Sequence, residues 1–584
     1  MFSKILDKLG DGNPQLLREI KGKLKPRNLL ISGGISLMGQ FLVFLSFQAQ
    51  IPVPNLNNLQ RNFQHKLCTG TGIKEISAPP SPPGVYAPPP EKLYNLCTLN
   101  AAGDGFEINW HLWWQEMFIV LSLISIFGLI VAGVYMLIND LAQEEKRGTL
   151  NFIRLSPQSG KNILVGKILG VPILLYFVTL LAFPLHLYAG FAANINPAII
   201  FGFDGVLILS CIFFYTAALL FGLFGQGFKG FQPWIGSGLV LFFLWLATAK
   251  PILENSADWI NLFSPGILLA YLPKYTHKYY YLNDIYWEYF KVEKLRFFGQ
   301  LLGENYISTL TLITVNLLVG ISCLWTSLNS RFVNPNKPIL TKAQSYILVA
   351  SWQMLLLGFS LYDYNYNYGY QYRMRENFQI IIVSNLILFL GLIAALSPQR
   401  QTLLDWARYG QEKKKDLWDM SDIKDLLFHE KSPAILTIAV NLGIMAVILG
   451  LWTFTWGNKN HASEALASLI VTISIILVYA IIAQTILFAR SPRSSQLALG
   501  AIAGLILIPI PLFLALQIDP YKHPLWWMFT AFPWVGVEKA TAMSVFIASV
   551  SQLSIFTVLT ARFNHVLKKA GESEMKSLLS GSKV

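Results

Sequence analysis

Blocks of about 20 residues that carry almost no charge recur along the whole chain, and they constrain its fold more than any other feature. A helical block of this length crosses about 30 Å of hydrocarbon, because an α-helix rises about 1.5 Å per residue. Of the 584 residues, 54% are hydrophobic and 13% are charged, whereas soluble domains contain about 25% charged residues. We therefore predict an all-α polytopic membrane protein, which excludes a soluble enzyme, a secreted disulfide scaffold and a disordered chain.

A sliding window of about 19 residues predicts twelve transmembrane helices. Their spans are 29–50, 116–138, 163–189, 199–225, 233–249, 305–328, 345–362, 377–396, 433–455, 464–489, 495–516 and 540–561. The sixth and twelfth spans both end in Arg-Phe, at Arg331 and Arg562. We predict two parallel six-helix repeats, 29–332 and 333–570, followed by a tail at 571–584, because an even number of spans keeps both halves in one orientation.

The basic residues indicate the orientation. With an inside N-terminus, the inner segments hold 30 of the 45 Lys and Arg residues, as the positive-inside rule requires. Both termini are then cytoplasmic, and the long loops 51–115 and 250–304 lie outside. The net charge of +13 has the same origin. We expect no nucleic-acid partner, because no basic patch is interleaved with the aromatic side chains on which bases stack.

Residues 1–28 are predicted to form amphipathic basic helices on the membrane surface. Asn13 and Pro14 are a favourable N-cap and first-turn pair for the second helix. The apolar positions after this pair share one helical face: Leu16, Leu17, Ile20 and Leu24. Basic residues cover the remaining surface, which is typical of a helix on an anionic lipid leaflet. The alternative is a loose basic tail.

Cys68 and Cys97 lie together in the predicted outer loop 51–115. An oxidising compartment favours disulfides, so we expect these two cysteines to be bridged. Cys211 and Cys323 fall inside predicted spans, where we expect small core side chains.

Charges inside the spans are few. Asp204 and His186 lie near span ends, and Lys167 lies where its side chain can snorkel to the interface. The sequence has no hydrolase or zinc-protease motif and no spaced Cys/His set. We therefore predict no catalytic residues, no metal and no cofactor.

The segment after the second predicted span is the most informative. We expect a helix to continue to about Arg147, a break at Gly148, and then a short helix that places Leu150 and Ile153 on one side and ends at Pro157. The run Glu144, Glu145, Lys146 and Arg147 approaches this break. The alternative is a solvated charged turn that joins two helices.

This segment resembles the cytoplasmic loop of permeases of the ABC-2 exporter superfamily. In those permeases a charged run leads to Gly-Thr-Leu, then to Ser-Pro and to Gly-Lys before the next span. Here the charged run ends at Arg147, and the three motifs are at 148–150, 156–157 and 166–167. The basic amphipathic N-terminus and six spans per half also resemble the family. Residues 397–432 contain no Gly-Thr-Leu, so the second half departs from the pattern.

The resemblance implies the permease subunit of an ATP-driven exporter in the bacterial inner membrane. A separate cytoplasmic ATP-binding subunit would bind ATP and hydrolyse it, so this chain would not be an enzyme. The coupling residues would be Glu144, Glu145, Lys146, Arg147, Gly148 and Thr149, with Leu150 and Ile153 as apolar anchors. Two halves in one chain would make a homodimer unnecessary.

Three alternatives remain open. The chain could be an ion-coupled secondary transporter with Asp204 or His186 as the coupling group, since intramembrane charges mark ion pathways. It could be a membrane scaffold subunit that transports nothing, or a membrane-embedded enzyme.

Overall fold

The protein is an all-α polytopic membrane protein. The computed structural model describes residues 12–54, 63–75, 91–101, 103–224, 230–273, 292–334, 338–361, 369–398, 400–412, 427–428, 432–491 and 493–579. Within these ranges, eleven helices are long and apolar enough to cross a membrane. Residues 1–11 of the predicted N-terminal helices, 76–90 of the predicted outer loop 51–115 and 413–426 of the segment 397–432 lie outside the described residues.

The elements of the first part of the chain follow in order. They are α1 (Pro14–Lys23), α2 (Pro26–Gln48), β1 (Gly70–Glu75), β2 (Glu91–Leu96), α3 (Trp110–Lys146), α4 (Thr149–Arg154), α5 (Gly160–Gly170), α6 (Ile173–Ala192), α7 (Pro197–Phe224), α8 (Gln232–Ala249), α9 (Asp258–Asn261), 3₁₀ turns Pro265–Tyr271 and Val292–Lys294, β3 (Arg296–Phe297), β4 (Gln300–Leu301) and α10 (Tyr306–Val333).

In the second part, the regular elements of the described residues are all α-helices. It contains α11 (Lys342–Ser360), α12 (Gly369–Leu396), α13 (Arg400–Glu412), α14 (Ala434–Phe454), α15 (Lys459–Phe488), α16 (Ser494–Leu507), α17 (Pro509–Ala515), α18 (Pro524–Trp527), α19 (Trp534–Val537) and α20 (Ala542–Leu579).

Two predicted spans differ from the structure. The span predicted at 163–189 is divided, because Pro172 lacks the amide hydrogen that would continue α5 into α6. Only α6 is one of the eleven helices. The span predicted at 345–362 is helical as α11, but it is not one of the eleven. Its interior carries polar side chains such as Gln353, which is fully buried. Twelve spans in two repeats stay a prediction.

The chain forms two compact units. Unit 1 comprises 1–254, 260–296 and 301–333, and unit 2 comprises 255–259, 297–300 and 334–584. The main boundary thus follows Val333, where the sequence prediction places it after Phe332. In unit 2, Gln353 and Asn385 exchange side-chain hydrogen bonds of 2.6 and 3.1 Å inside the core, which satisfies two polar groups that would otherwise be costly to bury.

Helix α3 is interrupted by a π-helical stretch, Ile126–Ala132. The buried Tyr215 hydroxyl of α7 donates a hydrogen bond of 2.7 Å to the Leu129 carbonyl within this stretch. At Gly133 a Cβ atom would overlap the Tyr215 ring. The absence of a side chain at Gly133 therefore lets α7 approach α3, and the tyrosine hydroxyl satisfies a carbonyl of the wider helical turns.

Before α3, strands β1 and β2 pair antiparallel from Gly70 with Leu96 to Glu75 with Glu91. Cys68 and Cys97 lie just beyond the paired ends and form a disulfide, with 4.9 Å between their Cα atoms. The hairpin base is therefore closed covalently.

Candidate functional site

The site is the turn between α3 and α5. Helix α3 ends at Lys146, and Gly148 has φ of +72°, a left-handed conformation that only glycine adopts without strain. Six residues of α4 follow, and the Thr149 hydroxyl donates to the Glu144 carbonyl at 3.1 Å. The prediction of a helix end near Arg147, a break at Gly148 and a short following helix is confirmed.

Helix α4 has one buried and one exposed face. Leu150 and Ile153 are only 5% and 6% exposed. Phe152 and Leu155 are 79% and 85% exposed. The assignment of Leu150 and Ile153 as anchors for a partner therefore needs correction, because both side chains are already packed inside unit 1. The exposed apolar side chains of this segment are Phe152, on α4, and Leu155, directly after it.

The charged run divides in the same way. Glu144 is buried at 6% exposure, and Glu145 is partly exposed. Lys146, Arg147 and Thr149 are exposed. The sequence interpretation treats the two glutamates alike, but the rotation of about 100° per residue in an α-helix places Glu144 against the protein and leaves Glu145 nearer the surface.

Glu144 belongs to a buried ion cluster around Lys167. The Lys167 ammonium lies 2.6 Å from the Glu144 carboxylate and 2.7 Å from that of Asp140, and the lysine side chain is fully buried. Arg18 of α1 pairs with the other Glu144 oxygen at 2.9 Å. The prediction that Lys167 snorkels at a span end is thus wrong. The carboxylates one turn apart on α3 hold it inside unit 1.

These carboxylates set the protonation state of Lys167. Burial alone would lower the pKa of its ammonium, but the charges of Asp140 and Glu144 outweigh the burial, and the pKa is raised above its usual value. Lys167 therefore carries a full positive charge at neutral pH.

Helix α1 closes the cluster from the other side. It begins at Pro14, and the Asn13 side chain accepts from the Leu16 amide, as the sequence predicts. Helix α5 presents Gly166 and Gly170 to α1, and a Cβ at Gly170 would lie 2.5 Å from the Glu19 Cβ. This close packing buries Glu19, which pairs with Lys23 at 2.9 Å. The described part of the N-terminal region thus packs on α5 within unit 1.

The cluster is also the only group of acidic and histidine or cysteine ligands with metal-like spacing in the described residues. Carboxylate oxygens of Glu19, Asp140 and Glu144 lie within 4.8 Å of one another. The Lys167 ammonium already lies against two of these groups. A divalent cation would meet this charge at close range, so the three carboxylates fit their three cationic partners better than a metal.

Sequence reasoning missed Asp140 and Arg18 as members of this site. The i, i+4 spacing of Asp140 and Glu144 was a usable signal, since it places both carboxylates on one face of α3. Arg18 carried no such signal, because its partner lies 126 positions away.

A second polar group lies among the spans of unit 1. His186 Nδ1 of α6 is 3.8 Å from Asp204 of α7, and its Nε2 is 3.0 Å from the Ser122 hydroxyl of α3. The imidazole stacks on Phe118, with 4.4 Å between ring centres. The structure therefore brings together the two residues that the carrier alternative singles out.

No protein-family model matches the chain, and neither a curated protein nor a solved structure is significantly similar to it.

Proposed function

We propose that the chain is the permease subunit of an ATP-driven exporter of the ABC-2 type, with α4 as the helix that couples it to a separate ATP-binding subunit. The observation that carries the proposal is a pair of exposed apolar side chains, Phe152 on α4 and Leu155 directly after it, next to the exposed charges of Lys146 and Arg147. Exposed apolar residues rimmed by polar ones are typical of a protein interface.

A coupling helix transmits movement of the ATP-binding subunit to the spans, so it must be rigidly connected to them. Leu150 and Ile153 fasten α4 to unit 1 by packing. Just before the turn, Glu144 fastens the end of α3 to α5 through Lys167 and to α1 through Arg18. Movement of α4 would thus reach three helices at once, which suits a permease that ATP closure drives mechanically.

We further propose that the chain crosses the bacterial inner membrane twelve times. The twelve spans form two parallel halves, and both termini lie in the cytoplasm. The substrate would be amphiphilic or hydrophobic and would move outward. Coupling in the second half is not part of the proposal, because residues 397–432 lack the Gly-Thr-Leu sequence.

Replacing both Phe152 and Leu155 with Asp tests the interface. Both side chains are exposed, so we expect near-normal expression, while two charges buried in an apolar contact should abolish binding of the ATPase. The measurement is the ATPase activity, and the identity of the ATP-hydrolysing chain, that copurify with the permease from its own membrane in mild detergent. Phe231→Asp is the matched control, because Phe231 is 72% exposed outside α4.

The wild type and Phe231→Asp should retain a stoichiometric ATP-binding chain, and the double variant should lose it. An ATPase that stays bound to the double variant would contradict the role of α4. Absence of any ATPase from the wild type would favour the scaffold or carrier alternatives.

The contact between His186 and Asp204 favours one second candidate, an ion-coupled carrier. Proteoliposomes that contain this chain alone, with an imposed pH gradient and a panel of amphiphilic dyes, separate the two candidates. For a permease we expect no dye movement without the ATPase, in the wild type and in Asp204→Asn alike. Gradient-driven dye uptake that Asp204→Asn abolishes would establish the carrier instead.

A further inference from the structure

A large apolar groove lies in unit 2, along the apolar helix that leads from α16 into α17. Its volume is about 910 Å³, at the upper end of the roughly 300–1,000 Å³ that ligand pockets enclose. Pro509 and Pro511 lie at this junction, and neither can donate the backbone hydrogen bond that a continuous helix needs. The groove is lined mainly by Gly500, Gly504, Pro509, Phe513, Leu525 and Phe529.

Two glycines of α16, Gly500 and Gly504, leave space on this side of the groove. A Cβ atom at Gly500 would meet no atom within 4 Å, and one at Gly504 would meet only Ile508, at 3.4 Å. A side chain at Gly500 would therefore enter the groove rather than the protein core.

The far wall is built from the segment that returns after α17. Trp527 donates from Nε1 to the Ile518 carbonyl at 2.9 Å and packs edge-on against Phe513. The buried Thr530 hydroxyl donates to the Trp527 carbonyl at 2.7 Å. These bonds fix the groove wall in place, so the groove is preformed.

Basic side chains border this wall. Lys522 and His523 directly precede α18 and are exposed. The Lys539 ammonium lies 4.6 Å from the centre of the Tyr521 ring. The neighbouring Glu538 is already engaged by Arg375, whose Nε donates to it at 2.8 Å. Lys522 and Lys539 thus leave a local excess of positive charge over Asp519.

Trp526 completes the border. It lines the groove and is 58% exposed, and exposed tryptophans are typical of the level of the lipid headgroups. The groove below this level is apolar, and ammonium groups lie beside it. A molecule with an apolar chain and an anionic group would fit both features.

We propose that this groove binds a phospholipid with an anionic headgroup. One acyl chain lies over Gly500 and Gly504 against Phe513, and the phosphate group lies between Lys522 and Lys539. This proposal requires only that the chain spans a membrane, and it holds for a permease, a carrier or a scaffold alike.

Native mass spectrometry tests the proposal on the full chain. Delipidated protein in detergent is exposed to equimolar dioleoylphosphatidylglycerol and dioleoylphosphatidylcholine, and the lipid that remains bound is counted. We expect one bound lipid per chain, with a preference for phosphatidylglycerol of about tenfold or more from two lysines.

Gly500→Phe should fill the groove and abolish binding of the lipid. Gly500→Leu is a smaller plug with the same expected direction, should the Phe variant fail to fold. Gly443→Phe is the matched control, because Gly443 is exposed on α14 and its Cβ would also meet no atom within 4 Å.

Charge reversal tests the headgroup contact separately. Lys522→Glu with Lys539→Glu should reduce the preference for phosphatidylglycerol to about one, while the exposed control Lys459→Glu keeps it. Equal lipid binding by both Gly500 variants and Gly443→Phe would overturn the proposal, as would equal retention of the two lipids by the wild type. A dimer that the Gly500 variants dissociate would also overturn it and would identify a second copy as the occupant.

Discussion

Lys167→Met is expected to lower the free energy of unfolding by about 3–5 kcal/mol, because it leaves the buried carboxylates of Asp140 and Glu144 without their ammonium partner. The methionine fills nearly the same volume, so the loss is electrostatic rather than a cavity effect. The measurement is the thermal unfolding midpoint in detergent, followed by intrinsic fluorescence. Lys161→Met is the matched control, because Lys161 is exposed on the same helix, and its midpoint should be unchanged.

Removing the charges of Asp140 and Glu144 as well distinguishes an electrostatic effect of Lys167→Met from a packing effect. Combining Lys167→Met with Asp140→Asn and Glu144→Gln should recover part of the lost stability, since no uncompensated charge then remains at Lys167. A midpoint for Lys167→Met equal to that of Lys161→Met would contradict the buried cluster.

The raised pKa of Lys167 gives this prediction a pH dependence. The stability that its charge contributes is fully present below the pKa of an unfolded lysine, about 10.4. It is lost as the pH rises through the higher pKa of the folded state. The difference between the wild type and Lys167→Met should therefore be constant near neutral pH and become smaller only in this alkaline range.

Charge reversal at Glu144 and at Glu145 should give opposite outcomes. Glu144→Lys places a third cation beside Lys167 and Arg18 in a buried site. We expect a loss of at least about 3–5 kcal/mol, a large part of the about 5–15 kcal/mol that stabilises a typical protein. Glu145→Lys changes a partly exposed group, so its cost should stay within about 0.5 kcal/mol.

The readout is the yield of monodisperse protein from detergent-solubilised membranes, measured by size-exclusion chromatography. Glu144→Lys should give less than a tenth of the wild-type peak, and Glu145→Lys a normal peak. Similar yields for the two variants would show that Glu144 is not held in the cluster. A normal yield with a lost ATPase for Glu145→Lys would add a charged contact to the proposed interface.

The ends of α1 and α3 and the positions of most spans were predictable from residues close together in the sequence. Asn13 with Pro14 marks the start of α1, and Gly148 marks the end of α3, because caps and left-handed turns depend on residues within one helical turn. The apolar blocks located most of the spans, because hydropathy is also a property of the local sequence. The division at Pro172 was not readable from proline alone, since Pro184 also lacks a backbone donor yet lies inside the continuous helix α6.

Long-range pairing accounts for what the sequence did not provide. Arg18 contacts Glu144 only because α1 packs on α5 over Gly166 and Gly170. No periodicity of the sequence predicts that contact. Burial of Glu144 follows from the same packing, because its partners Arg18 and Lys167 lie on α1 and α5. The groove beside Gly500 likewise depends on how the segment after α17 returns, which the hydropathy of α16 does not encode.

The π-helical stretch of α3 has a consequence for the phase of that helix. An α-helix turns about 100° per residue, and a wider turn accommodates one residue more without breaking the helix. Residues on either side of Ile126–Ala132 are thus rotated relative to the register of a continuous α-helix. Asp140 and Glu144 face Lys167 in that offset phase. If the stretch became α-helical with no residue removed, both carboxylates would turn about 100° away from Lys167. Deletion of one residue from the stretch would instead leave a continuous α-helix with both carboxylates still facing Lys167.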